Sequence, residues 1–187
     1  MNTLYDNITL ASGKTLHLET ETETAERIAE FLKEAAEDYR AKPTPPNKLA
    51  LTYATADEKN YSGDLHGAID YLIQELSTVK KPSHPSPEYY LAWMSANSLL
   101  VELLLRDGKP AEALPIAERI VDVAESHFSG TIEVLYAQEV YACCLIACEM
   151  ETEAMEVFKS ILPYLEEEIS EATALKEAIV LNMKEIE

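Results

Sequence analysis

The chain has 187 residues, of which 47% are hydrophobic, and it carries 34 Asp and Glu against 15 Lys and Arg, a formal net charge of −19. This hydrophobic content excludes a disordered chain, and a surface of this sign repels nucleic-acid phosphates and anionic membranes. We therefore expect a basic or amphipathic protein or peptide as the partner, with no nucleic acid and no membrane.

The composition also favours helix over strand. Five glycines are few for an all-β protein with many tight turns, so an all-α fold is expected. No apolar run approaches the roughly 20 residues needed to span a bilayer, and the stretch MNTLYDNITLASG lacks a basic segment followed by an apolar one. These features predict a cytoplasmic protein with one domain or a short repeat array.

The first predicted elements are a hairpin and a helix. Residues 3–18 alternate weakly between apolar and polar and turn at residues 12–14, which predicts a short β-hairpin. Apolar residues at helical spacing within residues 19–42 predict an amphipathic helix, which must end before KPTPPNK because proline lacks the amide donor. We assign residues 1–47 to an N-terminal segment that completes the array of the remaining helices, caps it or fills its groove.

Residues 48–187 are predicted to form three helix pairs and a terminal capping helix, separated by glycine and proline breaks. The pairs and the capping helix span about 48–79, 88–127, 131–168 and 171–186. Pro115 falls inside a predicted helix and is expected to bend it, and Pro163 is expected to mark a kink or a helix end.

The joints within the three pairs align with one another: YSGDLHGAIDYLIQEL, LRDGKPAEALPIAERI and ACEMETEAMEVFKSIL. Each has a turn and then an alanine five residues further on, and the alanines Ala68, Ala113 and Ala154 are 45 and 41 residues apart. A small residue is expected there because two antiparallel helices approach most closely near their connection. Gly63 and Gly108 stand at the turn in two joints, whereas Glu149 stands there in the third.

These joints resemble those of the tetratricopeptide repeat (TPR) family, with the best copy at residues 94–127 and further copies at 135–168 and from about residue 49. The resemblance implies a right-handed superhelix of about three antiparallel helix pairs. The periods of 41 and 45 residues exceed the usual repeat of roughly 34, so longer helices or looser connections are expected. An unrelated bundle of helical hairpins is the alternative.

The TPR family generally holds peptides or partner helices on a concave groove lined by the first helix of each pair. The resemblance therefore implies an adaptor or small chaperone that binds other proteins, and not an enzyme. The groove positions are Tyr53, Asp57, Asn60, Tyr61, Ser98, Val101, Leu105, Arg106, Tyr136, Glu139, Cys143 and Ile146. Members that grip the acidic tails of heat-shock chaperones carry Lys, Arg and Asn where this chain mostly has Tyr, Asp, Ser or Val, so that mode is not expected.

Two alternatives stay open at this stage. The groove tyrosines suit contact with a partner, but they could equally pack between helices. The chain could also be a structural module that self-associates through the apolar helix 88–106 and the terminal helix 171–186, so a monomer or a weak homodimer is expected.

Catalytic and metal-binding motifs are missing from the sequence. No Gly-rich phosphate loop, nucleophile elbow or HExxH pattern occurs, so no catalytic residue is assigned. Cys143, Cys144 and Cys148 lie on one predicted helix far from any histidine, which favours buried free thiols over a disulfide or a metal site. No cofactor is expected.

Overall fold

The structure, a computed structural model, describes residues 5–10, 12–19, 24–167 and 173–186. Within these residues the chain forms eight α-helices and one two-stranded sheet, which confirms the predicted helical class. None of the described helices is both long and apolar enough to cross a membrane. The chain divides into two compact units, and we call Glu23–Leu103 the continuous unit and Met1–Thr22 with Leu104–Glu187 the split unit.

The continuous unit consists of three helices and most of a fourth. These are α1 (Ala25–Ala41), α2 (Pro45–Tyr61), α3 (Leu65–Thr78) and the part of α4 (Pro87–Arg106) up to Leu103. Thr24 caps α1 by accepting a hydrogen bond from the Arg27 N–H at 3.3 Å, and α2 begins on prolines that suit a first helical turn. α1 packs against α2, and α2 packs against α3.

Lys48 connects these three helices. Its ammonium on α2 lies 2.5 Å from a carboxylate oxygen of Glu75 on α3 and 5.7 Å from the centre of the Tyr39 ring on α1. The hydrogen bond to Glu75 raises the pKa of Lys48 above its ordinary value. The charge pair therefore supports the packing of α2 between its two neighbours.

The split unit combines an N-terminal hairpin with the C-terminal helices. Its elements are β1 (Tyr5–Thr9), β2 (Thr15–Glu19), α5 (Pro110–His127), α6 (Ile132–Ala147), α7 (Glu151–Glu167) and α8 (Thr173–Ile186). The strands are antiparallel, and Ile8 lies opposite Leu16 with both side chains buried. Successive helices from α5 to α8 pack on one another, and β2 packs on α8.

The observed elements confirm the predicted hairpin, and the helix bounds fall within a few residues of the predicted ones. α5 continues through Pro115, and α7 continues through Pro163 to Glu167, so no helix ends at Pro163. The two compact units have other bounds than the predicted domains, residues 1–47 and 48–187. The predicted domains describe repeat organisation and stay a prediction.

The three helix joints adopt the same backbone conformation. Each connection contains three residues, and its middle residue has a positive φ: 89° at Gly63, 71° at Gly108 and 62° at Glu149. Glu149 is the one non-glycine residue with positive φ among the described residues. The conformation is therefore kept at the third joint although glycine is absent there.

The hydrogen bonds of the three joints also match. In each joint one N–H bonds to the carbonyl five residues earlier: Asp64 to Lys59 at 2.9 Å, Lys109 to Leu104 at 2.8 Å and Met150 to Leu145 at 2.9 Å. The preceding N–H bonds to the carbonyl three residues earlier in every case. Together these bonds form a Schellman motif, which satisfies carbonyls at the end of the first helix.

The alanines at the joints are completely buried, as the alignment predicts. Ala68, Ala113 and Ala154 each have 0% exposure, and each donates its N–H to the carbonyl of the last loop residue at 2.9 to 3.2 Å. Burial this complete leaves little space for a larger side chain at these positions. The sequence repeat is thus a repeat of local structure.

Candidate functional site

The twelve predicted groove positions are divided equally between the two units. In the continuous unit, Tyr61 is 53% exposed, whereas Asp57 and Val101 are buried at 4% and 1%. The remaining three there are half-buried: Tyr53, Asn60 and Ser98. Asp57 and Val101 are buried too deeply to offer much surface to a partner. The accessible part of this set is therefore formed mainly by Tyr61 and the half-buried residues.

In the split unit, most of the predicted positions are interior. The buried ones are Leu105, Glu139, Cys143 and Ile146, each at most 3% exposed. Arg106 and Tyr136 are half-buried, and burial lowers the pKa of the Arg106 guanidinium from its ordinary value. The structure therefore places two of the six predicted residues of this unit where a partner could reach them.

An aromatic side chain that was not among the predicted groove positions lies beside one that was. Phe31 on α1 contacts Tyr53 on α2 edge to face, with ring centres 5.9 Å apart and planes inclined at 72°. Phe31 nevertheless remains 42% exposed. Glu34 and Asp38, both exposed, follow Phe31 by three and seven residues and therefore share its face of the helix. We call Phe31, Tyr53, Glu34 and Asp38 the aromatic–acidic surface.

A second site holds the hairpin of the split unit. The Asn182 side chain on α8 accepts a hydrogen bond from the His17 N–H at 2.8 Å and donates one to the His17 carbonyl at 2.9 Å. Asn182 is completely buried. Its amide pairs with the outer edge of β2 as a neighbouring strand would, because both bonds go to the backbone of a single residue.

Two predicted groove residues support this asparagine from α6. The Asn182 amide nitrogen lies 3.4 Å from the Cys143 sulfur, and the Cys143 thiol donates to a carboxylate oxygen of Glu139 at 3.3 Å. Burial raises the pKa of the Cys143 thiol well above its ordinary value, which keeps it protonated as a donor. Glu139 and Cys143 thus belong to a buried polar network that orients Asn182.

Charged groups also hold the hairpin at residues 14, 15 and 17. Glu185 on α8 accepts from the Thr15 N–H at 3.5 Å and lies 4.0 Å from the His17 ring nitrogen Nε2. Lys14, in the hairpin turn, pairs with Glu151 at the start of α7, and this hydrogen bond lowers the pKa of the Glu151 carboxyl. We call Asn182, Glu185 and Glu151 the strand-holding site.

The remaining reactive side chains are the thiols. Cys143, Cys144 and Cys148 are free, and the first two are buried as the sequence predicts, whereas Cys148 is half-buried. Burial raises the pKa of all three thiols. In the part of the chain that the structure describes, no group of three or more His, Cys, Asp or Glu side chains is placed to hold a metal ion.

The sequence reasoning missed Asn182, although a local signal existed. Asn182 follows Leu175 and Ile179 at helical spacing, so it continues the buried apolar stripe of α8. A polar residue on such a stripe needs a buried hydrogen-bond partner. That pattern indicates a buried contact, but it does not indicate that the partner lies 165 residues away in β2.

Comparisons with models of protein families, with curated proteins and with solved structures found no match for this chain. The established class is therefore a helical protein with three equivalent helix-turn-helix joints and a docked N-terminal hairpin. The resemblance to the TPR family remains a prediction from the joints.

Proposed function

We propose that the protein is a binding module that holds a segment of another protein, as an adaptor or a small chaperone. The observation that supports this most directly is the aromatic–acidic surface. Phe31 keeps 42% exposure although Tyr53 lies against it. An exposed aromatic side chain gives a partner a large contact area with few rotamers to order.

The charge around this surface selects the chemistry of the partner. Glu34 and Asp38 make no ion pair with other described residues, and the whole chain carries a net charge of −19. Carboxylates beside an apolar anchor attract Lys and Arg of a partner and speed its association. The proposed partner is accordingly a basic or amphipathic protein segment with an apolar residue that contacts Phe31.

The finer architecture belongs to the same proposal. We place the three helix pairs in a right-handed TPR-like superhelix, and the three matching Schellman joints support this arrangement. The free thiols suit a reducing compartment, which favours the cytoplasm. The proposal assigns no catalytic residue and no cofactor, because contact area and charge are sufficient for binding.

Affinity capture with matched variants tests this function. The wild-type protein is immobilised and exposed to a cell lysate beside a Phe31→Ala variant and a Tyr164→Ala control, since Tyr164 is 68% exposed but lies in the split unit. We expect particular proteins to be retained by the wild type and the control, lost by the Phe31→Ala variant and released as salt is raised. Equal retention by all three proteins would contradict the proposal.

Self-association is the second candidate function, and one observation favours it. Val180 and Leu181 on α8 are half-buried and line a surface depression together with Lys176 and Lys184. Most of the apolar side chains of α4, in contrast, are already buried within the chain. Light scattering over a range of protein concentrations decides the matter, since a mass that stays monomeric would exclude this candidate.

A further inference from the structure

The hydrogen bonds of the strand-holding site to residues 15 and 17 go to the backbone of an extended segment. Both bonds of Asn182 go to the N–H and the carbonyl of His17, and Glu185 accepts from the N–H of Thr15, two residues earlier. In an extended strand, alternate residues direct their backbone groups to the same edge. These backbone contacts therefore fit an extended polypeptide that presents two such groups at strand spacing.

Side chains of the hairpin show which sequences the site prefers. Lys14 pairs with Glu151, and Leu16, two residues further on, is completely buried. The arrangement selects an extended segment with a basic residue followed, two positions later, by an apolar one. This is the basic, amphipathic chemistry that the charge of the chain favours.

The hairpin is far in sequence from the helix residues that hold it. His17 and Asn182 are separated by 165 residues, and the whole continuous unit lies between the hairpin and the helices that hold it. No disulfide joins the hairpin to those helices, because the three cysteines are free and all lie on the helical side. A two-stranded hairpin is marginally stable by itself, so its order depends on these contacts.

We propose that the strand-holding site is a binding site for extended, basic segments of a partner protein, and that the hairpin is its intramolecular occupant. A partner segment then competes with residues 14–17 for Asn182, Glu185 and Glu151. The inference rests on the proposed function in that the chain binds partner segments, but it uses residues separate from the aromatic–acidic surface.

Competition of this kind reduces the apparent affinity of the intact protein. A ligand binds only the fraction of molecules in which the hairpin has left the site, so its dissociation constant rises by the inverse of that fraction. Releasing the hairpin by mutation should therefore strengthen binding in trans. A site that merely packs the hairpin would show no binding in trans at all.

The test uses the full chain and a fluorescent peptide with the sequence of residues 12–19, SGKTLHLE. Leu16→Asp places a charge at a fully buried position and should release the hairpin of the protein, while the peptide keeps its leucine. We expect fluorescence anisotropy to show binding to the L16D protein that is about tenfold or more tighter than binding to the wild type.

Three controls identify the site. Adding Asn182→Ala to the L16D protein should abolish binding, and a peptide with Lys14→Glu should bind about tenfold more weakly because it opposes Glu151. Tyr164→Ala, at an exposed position outside both proposed surfaces, should leave peptide affinity unchanged. The capture experiment reports on the aromatic–acidic surface separately, so failure of this site and failure of the proposed function give different results. Circular dichroism checks that each variant keeps its helices.

If L16D loses helix content, His17→Pro serves instead, because proline removes the N–H that Asn182 accepts from while leaving Leu16 in place. Absence of peptide binding by a helical hairpin-release variant would overturn the proposal, as would equal binding by the wild type. The alternative occupant of the strand-holding site is the hairpin of a second copy of this chain. A wild-type dimer that dissociates in the release variant, without peptide binding, would also overturn the proposal.

Discussion

Gly108 and Glu149 occupy the same position in two helix joints and share the left-handed backbone, with φ of 71° and 62°. The surroundings of Gly108 leave room for a side chain, since an added Cβ would meet nothing within 4 Å. The preference for glycine there is therefore a matter of backbone strain, which is roughly 1–2 kcal/mol for a residue with a Cβ.

Glu149→Gly should stabilise the protein by about 1 kcal/mol, because it removes that strain while the Schellman hydrogen bonds remain. Glu149→Ala is the matched control and should give no such gain, since alanine has a Cβ as well. Urea unfolding monitored by circular dichroism measures both changes. A gain of equal size for the alanine variant would show that strain is not the cause.

Ala113→Leu should destabilise the split unit by about 1–3 kcal/mol, because the alanine is completely buried and a larger side chain overpacks its surroundings. Ala111→Leu, at an exposed position on the same helix, should change stability by less than about 0.5 kcal/mol. Thermal unfolding of both variants provides the comparison. Similar melting temperatures for the two would contradict close packing at the joint.

Asn182→Ala should cost about 1–3 kcal/mol, because the N–H and carbonyl of His17 lose their partner at a buried site. Amide hydrogen exchange gives the more specific measurement, since the His17 amide should exchange much faster in the variant. Lys184→Ala, at an exposed position on α8, is the control. Unchanged protection of His17 would show that Asn182 does not hold the strand.

Glu151→Gln should flatten the dependence of stability on pH in the acidic range. The pKa of Glu151 is lowered in the folded protein by its hydrogen bond to Lys14. Its ionised form therefore adds stability above its unfolded pKa of about 4.3, and this stability is lost as the pH falls through the lower folded value. Unfolding at several pH values from about 3 to 6 measures the change, with Glu153→Gln as an exposed control on the same helix.

Reaction with a thiol reagent should distinguish Cys148 from the other two cysteines in the native protein. The thiolate is the reactive form, and burial raises the pKa of all three thiols. We expect only half-buried Cys148 to react, slowly at neutral pH and about tenfold faster for each pH unit below its pKa. Cys148→Ser should remove this reaction, and unfolding should expose the remaining thiols; rapid native labelling of Cys143 would contradict its burial.

The elements of this fold can be read from the sequence because their signals are local. Proline sets the start of α2, α4 and α5, and glycine follows the ends of α2 and α4. Aligning the joints also identifies the buried alanines. The third joint could not be predicted from a turn glycine, because Glu149 stands in its place. The joint nevertheless keeps the same backbone conformation and the same hydrogen bonds.

The site is less predictable because its contacts join distant segments. Helical spacing places Glu139 and Cys143 on a common face of α6, but it cannot show that Asn182 of α8 lies against Cys143. Phe31 is one of the apolar residues at helical spacing in α1, yet it remains 42% exposed although its ring contacts Tyr53 of α2. The exposure of a side chain depends on tertiary packing, which the spacing of apolar residues in the sequence does not show.

The two segments of the split unit are made at different times during synthesis on the ribosome, because the continuous unit lies between them in sequence. His17 is made 165 residues before Asn182, which corresponds to roughly 8–33 s at common elongation rates. The continuous unit is completed within that interval, while Ile8 and Leu16 still lack the helices that bury them. The hairpin residues of the nascent chain are therefore exposed before the strand-holding site has been synthesised.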